Sequence, residues 1–156
     1  MIAEKNIEKV YGALPTPPAP GGMYVPVVQV GNMLYLAGQG PDIDGKPAYT
    51  GKVGAECSME DAYKAAQICG INLLAQLKRY LGDLDKVKRI VNVHVFVASA
   101  PDFYMQPKVA NGLSELMFNV FGEKGRHSRC ALGTSVLPNN IPVEGEMIVE
   151  IEGEEE

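Results

Sequence analysis

The stretch GRHSRCALGTSVLPNNIPVEGE, residues 125–146, holds the reading on which the fold turns. Residues 129–136 alternate in character, 137–142 have the proline and asparagine content of a turn, and 143–151 alternate again. The pattern is a strand, a tight turn and a second strand. Neighbouring side chains of a strand point to opposite faces. Arg129, Ala131, Gly133 and Ser135 therefore share one face, and Cys130, Leu132, Thr134 and Val136 the other. The second set is the more apolar and is expected to lie under helices. The first set, small residues around one guanidinium, would let a ligand or a partner chain come close. By spacing alone, Arg129 is either a solvated or ion-paired arginine or the anchor of a carboxylate, which its planar fork holds through two parallel hydrogen bonds. Glu144, Glu146, Glu150 and Glu152 share one parity of the last strand. Alone that is a solvated row, although a member near Arg129 could orient a water.

Upstream, Ser58 and Asp61 have the spacing of a helix cap. Ala62, Ala66, Cys69, Leu73 and Leu77 then recur every three or four residues, and Lys78, Arg79 and Gly82 close the helix. A second helix is predicted from about Met105–Lys108 to Val120, with Val109, Leu113, Leu116 and Val120 as its stripe and Gly122 as its stop. Between the helices, Val91, Val93, Val95 and Val97 fall on one face of a strand and Asn92, His94 and Phe96 on the other, as in a central strand. His94 has no Asp or Cys partner in its own motif and reads as a sheet histidine. Tyr24–Val30 and Met33–Ala37 flank the turn signal Gly31-Asn32 and form a hairpin that the Gly38–Pro41 run ends. Residues 42–54 are a loop or a short hairpin.

The predicted order is β-β-α-β-α-β-β, an α+β layer with two helices packed on one face of a mixed sheet. Residues 1–22 form an N-terminal arm, and residues 23–156 a single domain. Residues 1–10 are a short helix or a frayed segment. The four prolines between Leu14 and Gly22 make an extended connector. It is a surface linker or, alternatively, a lid or edge of a site next to Tyr24. Glu152–Glu156 is a solvated acidic tail.

A chain of 156 residues is long enough for one well-filled core. Its net charge of −5 leaves no basic excess for binding nucleic acid through phosphates. The three cysteines have no metal-ligand spacing and read as reduced thiols, and no segment is apolar and long enough to span a membrane. The cytoplasm is the expected compartment. Phosphate loops, zinc motifs and a nucleophile elbow are absent, so phosphoryl transfer, zinc chemistry and serine hydrolysis have no support.

From about Tyr24 to Ile151 the sequence resembles the RidA (YjgF-type) family of enamine/imine deaminases. The resemblance is carried by Tyr24-Val25, Gly31-Asn32-Met33, Ala37-Gly38-Gln39-Gly40-Pro41, Gly82-Asp83-Leu84-Asp85, Val95-Phe96-Val97, Asn111, Arg129, Leu137-Pro138 and Val143-Glu144, in this order and at these intervals. It implies a chorismate-mutase-like fold and a homotrimer with sites in the clefts between subunits. It also implies hydrolysis of 2-aminoacrylate-type enamines, or their imine tautomers, to 2-oxo acids and ammonia. Carried over, Arg129 would clamp the substrate carboxylate and Glu144 would hold or polarise the attacking water. Tyr24, Gly38 and Asn111 would shape the pocket. No metal or organic cofactor is implied; the partners are a small carboxylate or imino acid and further copies of the chain. Where many members have Arg-Ser-Cys, this chain has Arg129-Cys130-Ala131, so Ala131 stands at the family's cysteine position.

Overall fold

In the computed structural model, which describes residues 1–153, the chain runs α1 (Ile2–Val10), β1 (Val27–Val30), β2 (Met33–Gln39), β3 (Asp42–Ile43), β4 (Lys46–Pro47) and α2 (Met59–Leu81). It continues through β5 (Val87–Ala98), α3 (Gln106–Phe121), β6 (Ser128–Thr134) and β7 (Val143–Ile151). The main sheet has five strands in the order β1-β2-β7-β5-β6, with β3 and β4 a separate small hairpin. Every neighbouring pair in the main sheet is antiparallel except β5–β6, which α3 connects as a parallel crossover. The mixed sheet with two long helices is the α+β layer that the element order predicts. Residues 154–156 of the expected acidic tail lie outside the described residues.

α2 forms for local reasons. Ser58 Oγ accepts the Asp61 N–H at 3.1 Å, and Gly82 ends the helix in the left-handed region at φ 76°. A cap of this kind contributes about 1 kcal/mol. Ala62, Ala66, Cys69, Leu73 and Leu77 are all buried, and full burial of each leucine adds about 1.5–3 kcal/mol. α3 lies against α2 almost backbone to backbone. A Cβ at Gly112 would collide with the Tyr63 carbonyl, so a larger residue there would push apart the helices that place Asn111 and Ser114.

Three expectations change. Residues 125–146 do not form a hairpin, because β5 lies between β6 and β7. β5 holds a dense apolar row, with Ile90, Val93, Val95 and Val97 buried, and gains from an interior place with a strand on either side. The link after β6 instead passes the end of β5, where the Ala98 N–H donates to the Pro142 carbonyl at 2.9 Å. The face of β6 is also reversed. Arg129, Ala131 and Gly133 pair with Val93, Val95 and Val97, and cross-strand partners share a face, so the arginine side lies toward the helices. Cys130 and Leu132 are exposed on the opposite face. Finally, a register shift between Ile90 and Asn92 turns Val91 out of the buried row, and Ile90 takes its place.

Residues 1–10 resolve as a helix. Asp85 accepts the Ile2 and Ala3 N–H groups at 2.7 and 2.9 Å, satisfying the free donors of α1, and Glu4 pairs with Lys78 at 2.8 Å. Ala3 and Ile7 sit in the core. Among the described residues, no helix is long and apolar enough to cross a membrane.

Candidate functional site

Glu144 projects from β7 on the side away from the helices. Its neighbours Val143 and Gly145 face inward, where a Cβ on Gly145 would meet Leu113. The Glu144 carboxylate lies over Gly38 of β2, and a Cβ there would sit 2.5 Å from Oε1. Only glycine leaves the carboxylate this room. Glu144, Gly38 and Tyr24 line one cavity of about 500 Å³, together with Asp42, Asn139 and Ile141. Asn139 adopts φ 58°, a left-handed turn conformation that asparagine tolerates. Tyr24 is half-exposed, and its hydroxyl accepts the Gly21 N–H at 3.1 Å. Burial raises the pKa of Glu144 above the ordinary 4.5, and the nearby charge of Glu146 adds to the rise.

Arg129 lines a second cavity, of about 390 Å³, with Ser114, Glu115, Phe118, Arg126 and His127. Its Nη1 donates to Asn111 Oδ1 at 2.9 Å and to Ser114 Oγ at 3.1 Å, and its Nη2 reaches the Pro107 carbonyl at 3.4 Å. His127 completes the network. Nδ1 lies 2.7 Å from the Gly125 carbonyl, which can only accept, so Nδ1 carries the proton. Nε2 then accepts from Ser114 Oγ at 2.9 Å, leaving the Ser114 lone pairs to Arg129. Burial lowers the pKa of His127; the Gly125 hydrogen bond opposes this and the Arg129 charge reinforces it. A neutral imidazole thus helps to hold a guanidinium whose free edge can take an anion.

The five residues expected at the site therefore fall into two groups. Tyr24, Gly38 and Glu144 share one cavity; Arg129 and Asn111 are joined by a hydrogen bond at the other. Arg129 lies on the helix side of the edge strand β6 and Glu144 on the opposite side of β7, with β5 between them. No glutamate of the β7 row lies across from Arg129 within the chain. Ala131 faces the helices and packs on the core. His94 does have a carboxylate partner, across the strands rather than in its own motif: its Nδ1 lies 3.0 Å from Glu146 Oε1.

Two further contributors are buried amides on α2, Asn72 and Gln76, one turn apart within a mostly apolar helix. Asn72 Nδ2 donates to the Gly40 and Asp42 carbonyls, each at 3.0 Å, and Gln76 Nε2 donates to the Pro18 carbonyl at 2.9 Å. Sequence reasoning passed over them. Their signal is a pair of amides at i and i+4 beside the leucine stripe. Among the described residues, one acidic trio, Glu4, Asp83 and Asp85, has the spacing to hold a metal ion. Its members are engaged structurally: Glu4 with Lys78, Asp85 with the start of α1, and Asp83 with the Asp85 N–H at 2.9 Å.

The family model described as "YjgF/chorismate mutase-like, putative endoribonuclease" matches residues 8–150 and so takes in most of the arm. The chain is 42% identical to protein TCP17 of Trypanosoma cruzi, over 94% of this chain and 92% of that one. It is 31% identical to a 2-iminobutanoate/2-iminopropanoate deaminase of Dermatophagoides farinae, over 88% of this chain and 93% of the relative. The crystal structure of the protein Atu1372 of Agrobacterium tumefaciens, described as of unknown function, superposes with a TM-score of 0.91. That match has 43% identity and covers 97% of this chain and 93% of the other.

Proposed function

The chain belongs to the YjgF/RidA family with its chorismate-mutase-like fold, and from that premise we propose that it hydrolyses small 2-imino acids, with their enamine tautomers, to 2-oxo acids and ammonia. The observation that carries this is the charge and placement of the two cavities. One presents the carboxylates Glu144 and Asp42; the other presents the guanidinium groups of Arg129 and Arg126, with the Glu115 carboxylate engaged by the Tyr63 hydroxyl. A zwitterion, cationic at an iminium nitrogen and anionic at its carboxylate, matches one of each. Because the two lie on opposite faces of one sheet, a complete site needs the β6 edge of one copy against the Glu144 face of the next. That contact is head-to-tail and closes into a ring, here a trimer. Val28, Tyr35 and Leu132, exposed on the Glu144 face, supply an apolar surface for it.

In the assembled site Arg129 binds the carboxylate through its free edge while Asn111 and Ser114 hold the other side of its fork. An enamine first takes a proton at C3 and becomes the iminium. Water attacks the iminium carbon as Glu144 accepts a water proton, giving a carbinolamine. Glu144 returns the proton to nitrogen, and the C–N bond breaks with its electron pair leaving on ammonia. Glu144 takes the hydroxyl proton as the C=O bond forms and passes it to ammonia, so that a 2-oxo acid and ammonium are released. The carbon is already electrophilic, so positioning supplies much of the rate. The protein is read as cytoplasmic, with no metal or organic cofactor. The net charge of −5 speaks against the ribonuclease activity in the family's description.

Subunit mixing tests both the chemistry and the shared site. At substrate concentrations well below KM, Arg129→Ala and Glu144→Gln proteins should each release 2-oxo acid from freshly generated 2-aminoacrylate about 10²-fold or more slowly than wild type. Unfolded together and refolded as mixed rings, they should recover roughly a quarter of wild-type activity, since that share of interfaces joins an intact Arg129 to an intact Glu144. No recovery would refute the intersubunit site. A wild type that binds 2-oxo acids but turns nothing over would make the protein a small-carboxylate binder.

A further inference from the structure

We propose that residues 15–22 are a specificity wall of the Glu144 cavity, pinned by the Gln76 amide, and that this wall confines the ligand's side chain to small, uncharged groups. The proposal rests on the reading that this cavity holds the C2 end of the substrate. Pro18, Ala19 and Gly21 line the same cavity as Gly38 and Glu144, so the arm forms part of its boundary. Pro15, Pro17, Pro18 and Pro20 restrict the backbone, so ordering the segment costs little entropy.

The anchoring is directional. Gln76 is 2% exposed in the middle of α2 and spends an amide donor on the carbonyl of Pro18. A passive linker needs no buried donor, which is costly to leave unpaired. At the far end, the Gly21 N–H donates to the hydroxyl of Tyr24, itself a lining residue. One turn before Gln76, Asn72 fixes the Gly40 and Asp42 carbonyls. One helix face therefore sets two walls of the cavity, the arm and the turn after β2. The lining residues include Asp42 and Glu144 and no basic side chain, so an acidic group on the ligand's side chain would meet two carboxylates unpaired. With the β6 edge of the neighbouring copy taking up part of the roughly 500 Å³, a bulky side chain would press on Pro18 and Ala19 and strain the Gln76 hydrogen bond.

The test is calorimetric titration of the full-length protein with pyruvate, 2-oxobutanoate, 4-methyl-2-oxopentanoate and phenylpyruvate, stable keto analogues of imino acids of increasing size. Wild type should bind the two small acids at least about tenfold more tightly than the two large ones. Gln76→Leu keeps the side-chain bulk and removes the donor; it should shrink that preference by about tenfold, equivalent to about 1.4 kcal/mol, by improving the large acids. Ala19→Phe, at an exposed position, should instead weaken the large acids further without changing the melting temperature. If Gln76→Leu fails to fold, Ala19→Phe decides alone. A size profile identical in wild type and in every folded variant overturns the wall, as does a wild type that binds none of the four acids. Size-graded binding without ammonia release from imino acids would leave the wall standing and overturn the deaminase.

Discussion

The two cavities differ in how their charges are held. Arg129 is braced by its own chain, with three acceptors on α3 around the guanidinium and a neutral histidine behind one of them. Glu144 makes no comparable set of bonds. Burial and Glu146 both act against its charge, and its place exists because residue 38 is a glycine. The first cavity is built to keep an ion fixed. The second holds a carboxylate whose surroundings favour its protonated form. Preorganised binding on one side and a perturbed base on the other is the division of labour that iminium hydrolysis asks for.

The largest effects should follow that division. Arg129→Ala removes the proposed bidentate contact to the substrate carboxylate and should lower kcat/KM by about 10²-fold or more, chiefly through KM. Glu144→Gln keeps the shape of the cavity and should lower kcat by about 10²–10³-fold with KM within a few-fold of wild type. Steady-state kinetics with one small imino acid measures both. Equal losses in kcat for the two variants would erase the distinction between a binding half and a chemical half.

A smaller effect concerns pH. In the proposed mechanism Glu144 must be ionised to accept the water proton, so kcat should rise with pH through a limb lying above 4.5. Glu146→Gln removes the neighbouring charge and should move that limb to lower pH; burial, the larger cause, would keep it above 4.5. A limb that stays in place in Glu146→Gln assigns it to another group. The raised pKa has a cost in stability. The favourable contribution of protonated Glu144 is fully present below the unfolded value and is lost as pH rises through the folded one. Above the folded value the ionised carboxylate is therefore a liability to the fold.

What could be read from sequence was local. The Ser58 cap, the leucine stripe of α2 and the Gly31 turn each depend on a few adjacent residues, and each forms where the pattern places it. Strand partnership is not local. β6 and β7 are neighbours in sequence, yet both close on β5, and only the sheet order shows that Arg129 and Glu144 face opposite ways. The polarity of β6 misleads because it is an edge strand: its apolar residues Cys130 and Leu132 point out, where a neighbouring copy is proposed to cover them. Asn72 and Gln76 were invisible for a related reason. Polar residues beside a buried stripe read as its solvated border until a proline carbonyl and a turn are seen to need them.

The smallest expected effect concerns Ala131, which the family resemblance sets at a cysteine position. It shares the helix side of β6 with Arg129 and is half-buried against the core. Ala131→Cys adds one sulfur atom two residues from the guanidinium, and it touches neither the Asn111–Ser114–His127 network nor the Glu144 cavity. If Arg129 supplies binding and Glu144 the proton transfer, the thiol has no step to perform. kcat and KM should then stay within about twofold of wild type, and the melting temperature should fall slightly at most, as for a one-atom enlargement beside a packed core. A gain of tenfold or more would show that the chemistry of the Arg129 side was incomplete without sulfur. The two cavities would then differ in what each lacks rather than in what each does.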